Sequence, residues 1–187
     1  VDGPRPKDTP KVVPIPSVLP KPKPRPHGPV WEYVYSSTVE HQGRGKAREK
    51  ADMYALPIYT KAVKYRISPI LVASLVKTES HFDRFAVSSA GALGLAQIMP
   101  FHFESHGYSL SRWKDPWVNM EISCRLLHGF RRDLSKRFPG SSDLAVKNMM
   151  LVAYNMGQGA VVNRGIRSSH YSRTVIRDAK PRPVKYI

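Results

Sequence analysis

One cysteine, Cys124, stands alone among 187 residues, so no disulfide can form within the chain. Its neighbours Ile122, Leu126 and Leu127 predict a buried small hydrophobe. A catalytic thiol needs an electropositive, accessible setting, toward which only Arg125 and His128 point. Acids are also scarce: 14 Asp and Glu stand against 30 Lys and Arg, a net charge of +16. Such a balance favours a polyanionic partner such as nucleic acid, anionic lipid or an anionic wall polymer. No apolar run reaches the ~18 residues of a membrane-spanning helix, and the longest, from Pro69 to Val76, falls far short. Strand-like alternation is rare, and the β-branched stretch from Val12 to Leu19 is broken by prolines. There is no internal repeat and no Gly-Lys-Ser/Thr phosphate loop. The first residue is Val rather than Met, as expected of a processed or trimmed chain.

Proline, by contrast, is abundant at one end. Residues 1–30 carry 10 of the 17 prolines, and Pro20-Lys21-Pro22-Lys23-Pro24-Arg25-Pro26 alternates proline with a cation. Fixed φ, missing N–H groups and repelling charges predict an extended polyproline-type spacer, reaching ~3 Å per residue. It reads as a tether, a wall-spanning arm or a disordered tail. The division expected is a basic arm over 1–48 and one mainly α domain over 49–187, with a basic C-terminal extension. A hydrophobic fraction of 41% is adequate for one packed core.

Helical signals dominate that domain. Ala55, Ile58, Tyr59 and Ala62 recur at three and four residues. Ser68-Pro69 reads as an N-cap followed by proline at the first helical position, and the helix it opens ends about three turns later at Glu79. Asp115-Pro116 repeats this start. Ile122, Leu126, Phe130, Leu134 and Phe138 then mark a long amphipathic helix stopped by Pro139-Gly140. Ser141-Ser142-Asp143 can cap another, whose Leu144, Met149, Met150, Val152 and Ala153 predict a central buried helix broken at Gly157 and Gly159.

The chemistry gathers where helices meet glycine-rich turns. Glu79 follows Leu71, Val72, Leu75 and Val76, and a carboxyl in apolar surroundings has its pKa raised. A carboxylic acid kept protonated near neutral pH can donate to a leaving oxygen, as glycosidic cleavage requires. Taken alone, a Glu near a helix end is more often a surface residue. Gly91 and Gly94 permit a backbone that a ligand can approach closely, and Gln97 carries donor and acceptor groups suited to sugar hydroxyls. Tyr154-Asn155 precedes a second glycine turn, where the tyrosine can bond the acid or a sugar.

Four other carboxyls are candidate partners of Glu79. Asp83, four residues on, shares its face if helical, which is poor placement for work across a sugar; Glu104, Asp115 and Glu121 remain, with Asp115 better explained as a cap. His102 and His106 have a spacing that can hold zinc, but not in the His-Glu-x-x-His order, so no metal or cofactor is expected. The C-terminal cations Arg164, Arg167, Arg173, Arg177, Lys180, Arg182 and Lys185, with Tyr171 and Tyr186, suit phosphates, yet no nucleic-acid recognition motif accompanies them.

Glu79-Ser80 with Phe82, Ala86-Val87-Ser88 and Gly91-Ala92-Leu93-Gly94-Leu95-Ala96-Gln97-Ile98-Met99-Pro100 together resemble the soluble lytic transglycosylase catalytic domain. Ala153-Tyr154-Asn155-Met156-Gly157-Gln158-Gly159 is similar to that family's downstream Ala-Tyr-Asn motif, and Asp115-Pro116 with Asn119-Met120-Glu121 to its middle element. The resemblance runs from about Leu56 to Ile176 and leaves out the proline-rich arm. It implies a mainly α, lysozyme-like fold of the goose type. It also implies a peptidoglycan lytic transglycosylase with Glu79 as sole acid and base, cleaving between N-acetylmuramic acid and N-acetylglucosamine to give a 1,6-anhydro product. Ser80, Ser88, Gln97, Met99, Tyr154 and Asn155 are implied to bind the glycan.

Three departures accompany the match. Ala96 stands where many relatives have Met, Arg84 where Pro or a small polar residue is common, and Ser169-His170 precedes Tyr171 where a Glu-Thr element is expected. The implied partners are glycan strands, an envelope-spanning or virion assembly reached through the arm, and a secondary polyanion such as DNA or a wall polymer. The implied location is periplasmic or extracytoplasmic, or on a phage virion. A hydrolytic muramidase and a non-catalytic wall-binding or virion structural protein with the same fold are the alternatives.

Overall fold

In the computed structural model, residues 28–180 are described; residues 1–27 of the arm expected over 1–48, and the last seven residues, lie outside them. Among the described residues the secondary structure is helical, with two isolated antiparallel bridges, Val87 to Leu93 and Leu93 to Ile98.

The first helix, α1 (Gly28–Lys64), is two helical arms joined at Gly43, whose φ of 75° and ψ of 165° are non-helical. Residues 21 apart on a straight helix would lie about 30 Å from each other. Yet the Trp31 indole N–H donates to Asp52 at 2.7 Å, so the arms fold back antiparallel. Only glycine adopts that backbone cheaply. Val30, Tyr33 and Val34 of the first arm are buried in the same core as Ala51, Tyr54, Ala55 and Ile58 of the second. The first arm, which lies upstream of the boundary expected at residue 48, therefore supplies side chains to the core.

Capping chemistry sets the next elements where the sequence signals it. Helix α2 (Pro69–Ser80) starts at Ser68, whose hydroxyl accepts from Leu71 N, with proline in the first turn. It ends at His81 in the left-handed conformation. The short α3 (Phe101–Ser105) and a 3-10 turn (Leu110–Arg112) lead to α4 (Pro116–Arg137), capped by the Asp115 carboxylate accepting from Trp117 N at 2.8 Å. Helix α5 (Asp143–Met156) is capped by Ser142, and α6 (Gln158–Val162) follows directly after Gly157. Helix α7 (His170–Asp178) opens with a reciprocal box in which Ser169 and Ser172 each accept the other's backbone N–H.

Two apolar clusters result. The larger joins α1, α2, α4 and α7 with Phe82, Leu95, Ile98 and Phe103. The smaller holds Leu134 of α4 with Val146, Met149, Val152, Ala153, Ala160 and Val161. Helix α5 spans both, giving Met150 and Leu151 to the first, which accounts for its near-continuous apolar sequence. Its first turn differs from the expectation, since Leu144 is 57% exposed at the molecular edge. Cys124 is fully buried, and that burial pushes its thiol up to about 12, so it packs as a hydrophobe.

Candidate active site

Glu79 occupies the last turn of α2, half-buried. Burial pushes its carboxyl above the usual range, and a hydrogen bond from Tyr171 pulls partly against that shift. The Tyr171 hydroxyl donates to Glu79 Oε1 at 2.5 Å across 92 residues of sequence. Helix α7 is held in place to deliver it. Ser74 Oγ donates to Val175 O at 2.8 Å, Lys77 pairs with Asp178 at 3.4 Å, and Ser172 Oγ donates to Asn148 Oδ1 at 2.8 Å. Thus α2 and α5 together fix the tyrosine that faces the acid.

After Glu79 the chain turns abruptly. His81 and Phe82 both have left-handed φ, 53° and 59°, and Phe82 is fully buried. Ser80 is buried, and its hydroxyl donates to Leu95 O at 2.7 Å and lies 3.3 Å from Val76 O. It clamps the helix end to the following loop. Asp83 is not helical; its exposed carboxylate accepts from Phe85 N at 2.8 Å, away from Glu79's face.

The loop over 86–98 is a wall built from main-chain bonds. Leu93 and Ile98 exchange both N–H···O bonds at 2.9 and 3.0 Å, with Gly94 at φ 75° and Gln97 at φ 50° in the turn between. A Cβ at Gly94 would lie 2.6 Å from Asn119 Nδ2 and 2.8 Å from Trp113 O, so glycine is required sterically as well as conformationally. Asn119, buried, is the anchor. Its Oδ1 accepts from Ala96 N at 2.8 Å, and its Nδ2 donates to Leu93 O at 3.2 Å and Trp113 O at 3.3 Å. The Tyr154 hydroxyl donates to Ala96 O at 2.8 Å and lies 3.1 Å from Ser123 Oγ. Ala96 thus acts through its backbone, and its side chain is buried.

A cleft of about 330 Å³ opens beside this wall, lined among others by Gln97, Met99, His102, Tyr154 and Asn155. Glu79 is not among its lining residues, but it is near enough to Tyr154 that its charge raises the Tyr154 pKa further after burial. Gln97 Nε2 donates to Gly94 O at 2.9 Å and Ala86 O at 3.2 Å, leaving Oε1 to meet a ligand. Ser88 Oγ accepts from Ala92 N at 3.0 Å and shapes the loop tip; it does not line the cleft. Of the six positions implied to bind glycan, four line the cleft and two, Ser80 and Ser88, hold the loop.

Of the other candidate carboxyls, Glu104 is exposed on α3, and Glu121 and Asp115 are tied up with cations. Burial alone would raise the Glu121 pKa, but Lys61 at 2.8 Å, Lys64 at 2.6 Å and the Tyr65 hydroxyl hold it at about 2. Asp115 is held low against burial by Arg112 at 2.6 Å and by the cap bonds. His106 Nδ1 lies 2.8 Å from His102 O, so that nitrogen is taken up locally. Among the described residues no group of three His, Cys, Asp or Glu side chains gathers to hold a metal.

Residues 57–175 match the Transglycosylase SLT domain. The chain belongs to that family. Among curated relatives, membrane-bound lytic murein transglycosylase C of Haemophilus influenzae (strain PittEE) is 31% identical over 125 residues, covering 57% of this chain and 32% of that protein. The Mannheimia succiniciproducens protein of the same name is 26% identical over 144 residues, covering 72% and 40%. The chain therefore spans about a third of the length of the Haemophilus relative. Two solved structures share the fold: the 70 kDa soluble lytic transglycosylase of Escherichia coli (TM-score 0.55, 19% identity, 82% of this chain and 28% of that one) and an inactive mutant of lytic transglycosylase Slt from Pseudomonas aeruginosa (TM-score 0.51, 17% identity, 78% and 26%). The SLT domain here is thus a mainly α, lysozyme-like fold. The motifs point to Glu79 and the loop, whereas Tyr171, which bonds Glu79, carries no motif signal because the Glu-Thr expected before it is absent. The resemblance drew on Asn119 as part of a motif, and the structure gives its job, loop anchor.

Proposed function

We propose that this SLT-family chain is a peptidoglycan lytic transglycosylase. It cleaves the β-1,4 bond between N-acetylmuramic acid and N-acetylglucosamine, with Glu79 as acid and then base. The observation that carries this reading is the isolation of Glu79. Its carboxyl is raised by burial and touched by a neutral tyrosine, while Glu121 and Asp115 are committed to cations elsewhere. A hydrolase of the usual two-carboxylate kind needs a second acid across the bond.

In this reading Glu79 acts twice. With Tyr171 donating to Oε1, the proton carried by Glu79 sits on Oε2, an assignment made from the hydrogen bonding. That proton passes to the glycosidic oxygen as the bond to the anomeric carbon breaks, and N-acetylglucosamine leaves. The new carboxylate keeps the Tyr171 bond, now charge-assisted. It then takes the proton of the muramoyl 6-hydroxyl as that oxygen attacks the anomeric carbon. The products are a 1,6-anhydromuramoyl end and a regenerated acid, with no water consumed. Gln97 Oε1, Met99 and Asn155 line the cleft that receives the sugar.

In this reading the basic, proline-rich stretch upstream of α1 leads into the enzyme, and the enzyme acts outside the cytoplasm. There it opens the wall locally for a secretion or conjugation apparatus, or as part of a phage virion. Mass spectrometry of purified sacculi digested by the wild-type chain is expected to show 1,6-anhydromuropeptides, and Glu79→Gln to show none while still unfolding in one cooperative transition. Reducing-end products one water heavier would replace this mechanism with hydrolysis. Undiminished anhydro product from Glu79→Gln would remove Glu79 from it.

A further inference from the structure

Outside the cleft, Arg84, Phe85, Trp113 and Lys114 make a surface patch in which cations crowd aromatic rings. The Arg84 guanidinium carbon lies 4.7 Å from the Phe85 centroid, and Lys114 Nζ lies 5.6 Å from Phe85 and 5.0 Å from Trp113. Phe85 is 53% and Val87 60% exposed, so the patch is apolar and wet at once. Among the described residues, Lys61, Lys64, Lys77 and Arg112 have carboxylate partners, but neither Arg84 nor Lys114 does. The adjacent acid, Asp83, has one carboxylate oxygen engaged by Phe85 N. Lys50 reaches His81 O at 3.4 Å and feels Lys46 and Asp83, which brings two more cations to the same end of α2.

The patch is coupled to the catalytic wall on both sides. Ala86 O accepts from Gly94 N at 2.9 Å and from Gln97 Nε2 at 3.2 Å, and Gln97 lines the cleft. Trp113 O accepts from Asn119, which in turn holds Ala96. A polymer seated at Gln97 is therefore next to a surface with two cations lacking acidic partners. A long anion with repeated carboxylates and apolar C–H faces fits it, since each cation gains a partner and the exposed ring edges lose water.

We propose that this patch is an accessory binding site for the carboxylate-bearing peptide substituents of the glycan strand, holding the polymer beside the cleavage site. The proposal rests on the glycan-cleaving reading of Glu79. Its test uses the full chain carrying Glu79→Gln, so that binding is read without turnover. Sedimentation with purified sacculi is compared for this parent and for the same chain carrying Arg84→Gln, Phe85→Ser and Lys114→Gln. The patch variant is expected to bind roughly tenfold more weakly, because two partly exposed ion pairs and one apolar contact are lost. The difference is expected to vanish when the sacculi carboxylates are capped as methylamides, and to shrink in high salt. Equal binding by parent and variant overturns the proposal, as does a difference that survives capping. Loss of binding to phosphatidylglycerol vesicles, with sacculus binding kept, assigns the patch to a membrane surface and also overturns it. Failure of the Glu79-bearing chain to yield anhydro product bears on the cleavage reading alone, because sedimentation does not depend on it.

Discussion

A carboxyl that gives up a proton near neutral pH must be shielded from water, and Glu79 is shielded at the last turn of α2. Tyr171 works against that shift, because its hydrogen bond favours the charged form. Removing it in Tyr171→Phe therefore raises the Glu79 pKa further. The alkaline limb of the kcat/KM profile for anhydro-product release is expected to move to higher pH. Turnover should fall by about 10- to 100-fold as the acid loses its orientation. A limb that stays put or moves down would refute that role. The same raised pKa has a stability consequence. The folded state holds the Glu79 proton more tightly than the unfolded chain, so stability falls as pH rises above about 4.5, the ordinary value. Glu79→Gln cannot ionise. It should melt like wild type at pH 4 and above it at pH 8; a lower melting temperature at pH 8 would contradict the burial argument. Glu79 was legible in the sequence because its signals are local. Tyr171 was not, since it meets the acid only through the packing of α7 on α2.

At the scale of elements, helix starts were legible and helix partners were not. Ser68, Asp115 and Ser142 cap as expected, because a cap depends on residues two or three apart. Glu121 looked like a spare acid in sequence, but it is the tie between α4 and α1. Its folded pKa of about 2 lies below the ordinary 4.5, so its contribution is fully present above about pH 4.5 and is lost as pH falls through about 2. At ~1.4 kcal/mol per pH unit the fall bounds that contribution at about 3 kcal/mol, and it is smaller in practice because the Lys64 side chain is 54% exposed. Glu121→Gln is expected to lose about 1–3 kcal/mol in urea unfolding at pH 7 and to differ little from wild type near pH 2. An equal loss at both pH values would mean packing, rather than charge, is what the residue supplies.

For the whole molecule, the fold-back at Gly43 brings the first arm of α1 into the core. A composition shift marked the proline-rich segment, but helical periodicity carries no record of which arm lies on which. The first arm buries Val30, Tyr33 and Val34. A chain starting at Arg44 is therefore expected to melt at least about 10 °C below one starting at Gly28, as scanning calorimetry would read. A difference under about 2 °C would show that the first arm is not part of the core.

The sequence by itself determined the helical class, the caps, the acid at the end of α2 and the glycine turn after Leu93. These follow from steric and hydrogen-bonding rules that act over a few residues. Only the tertiary structure decided that Tyr171 faces Glu79, that Asn119 anchors the loop, that Ser80 and Ser88 serve the wall, and that Glu121 is claimed by Lys61 and Lys64. Each of these but the Ser88 turn joins residues at least 15 positions apart, and burial shared between helices brings them together.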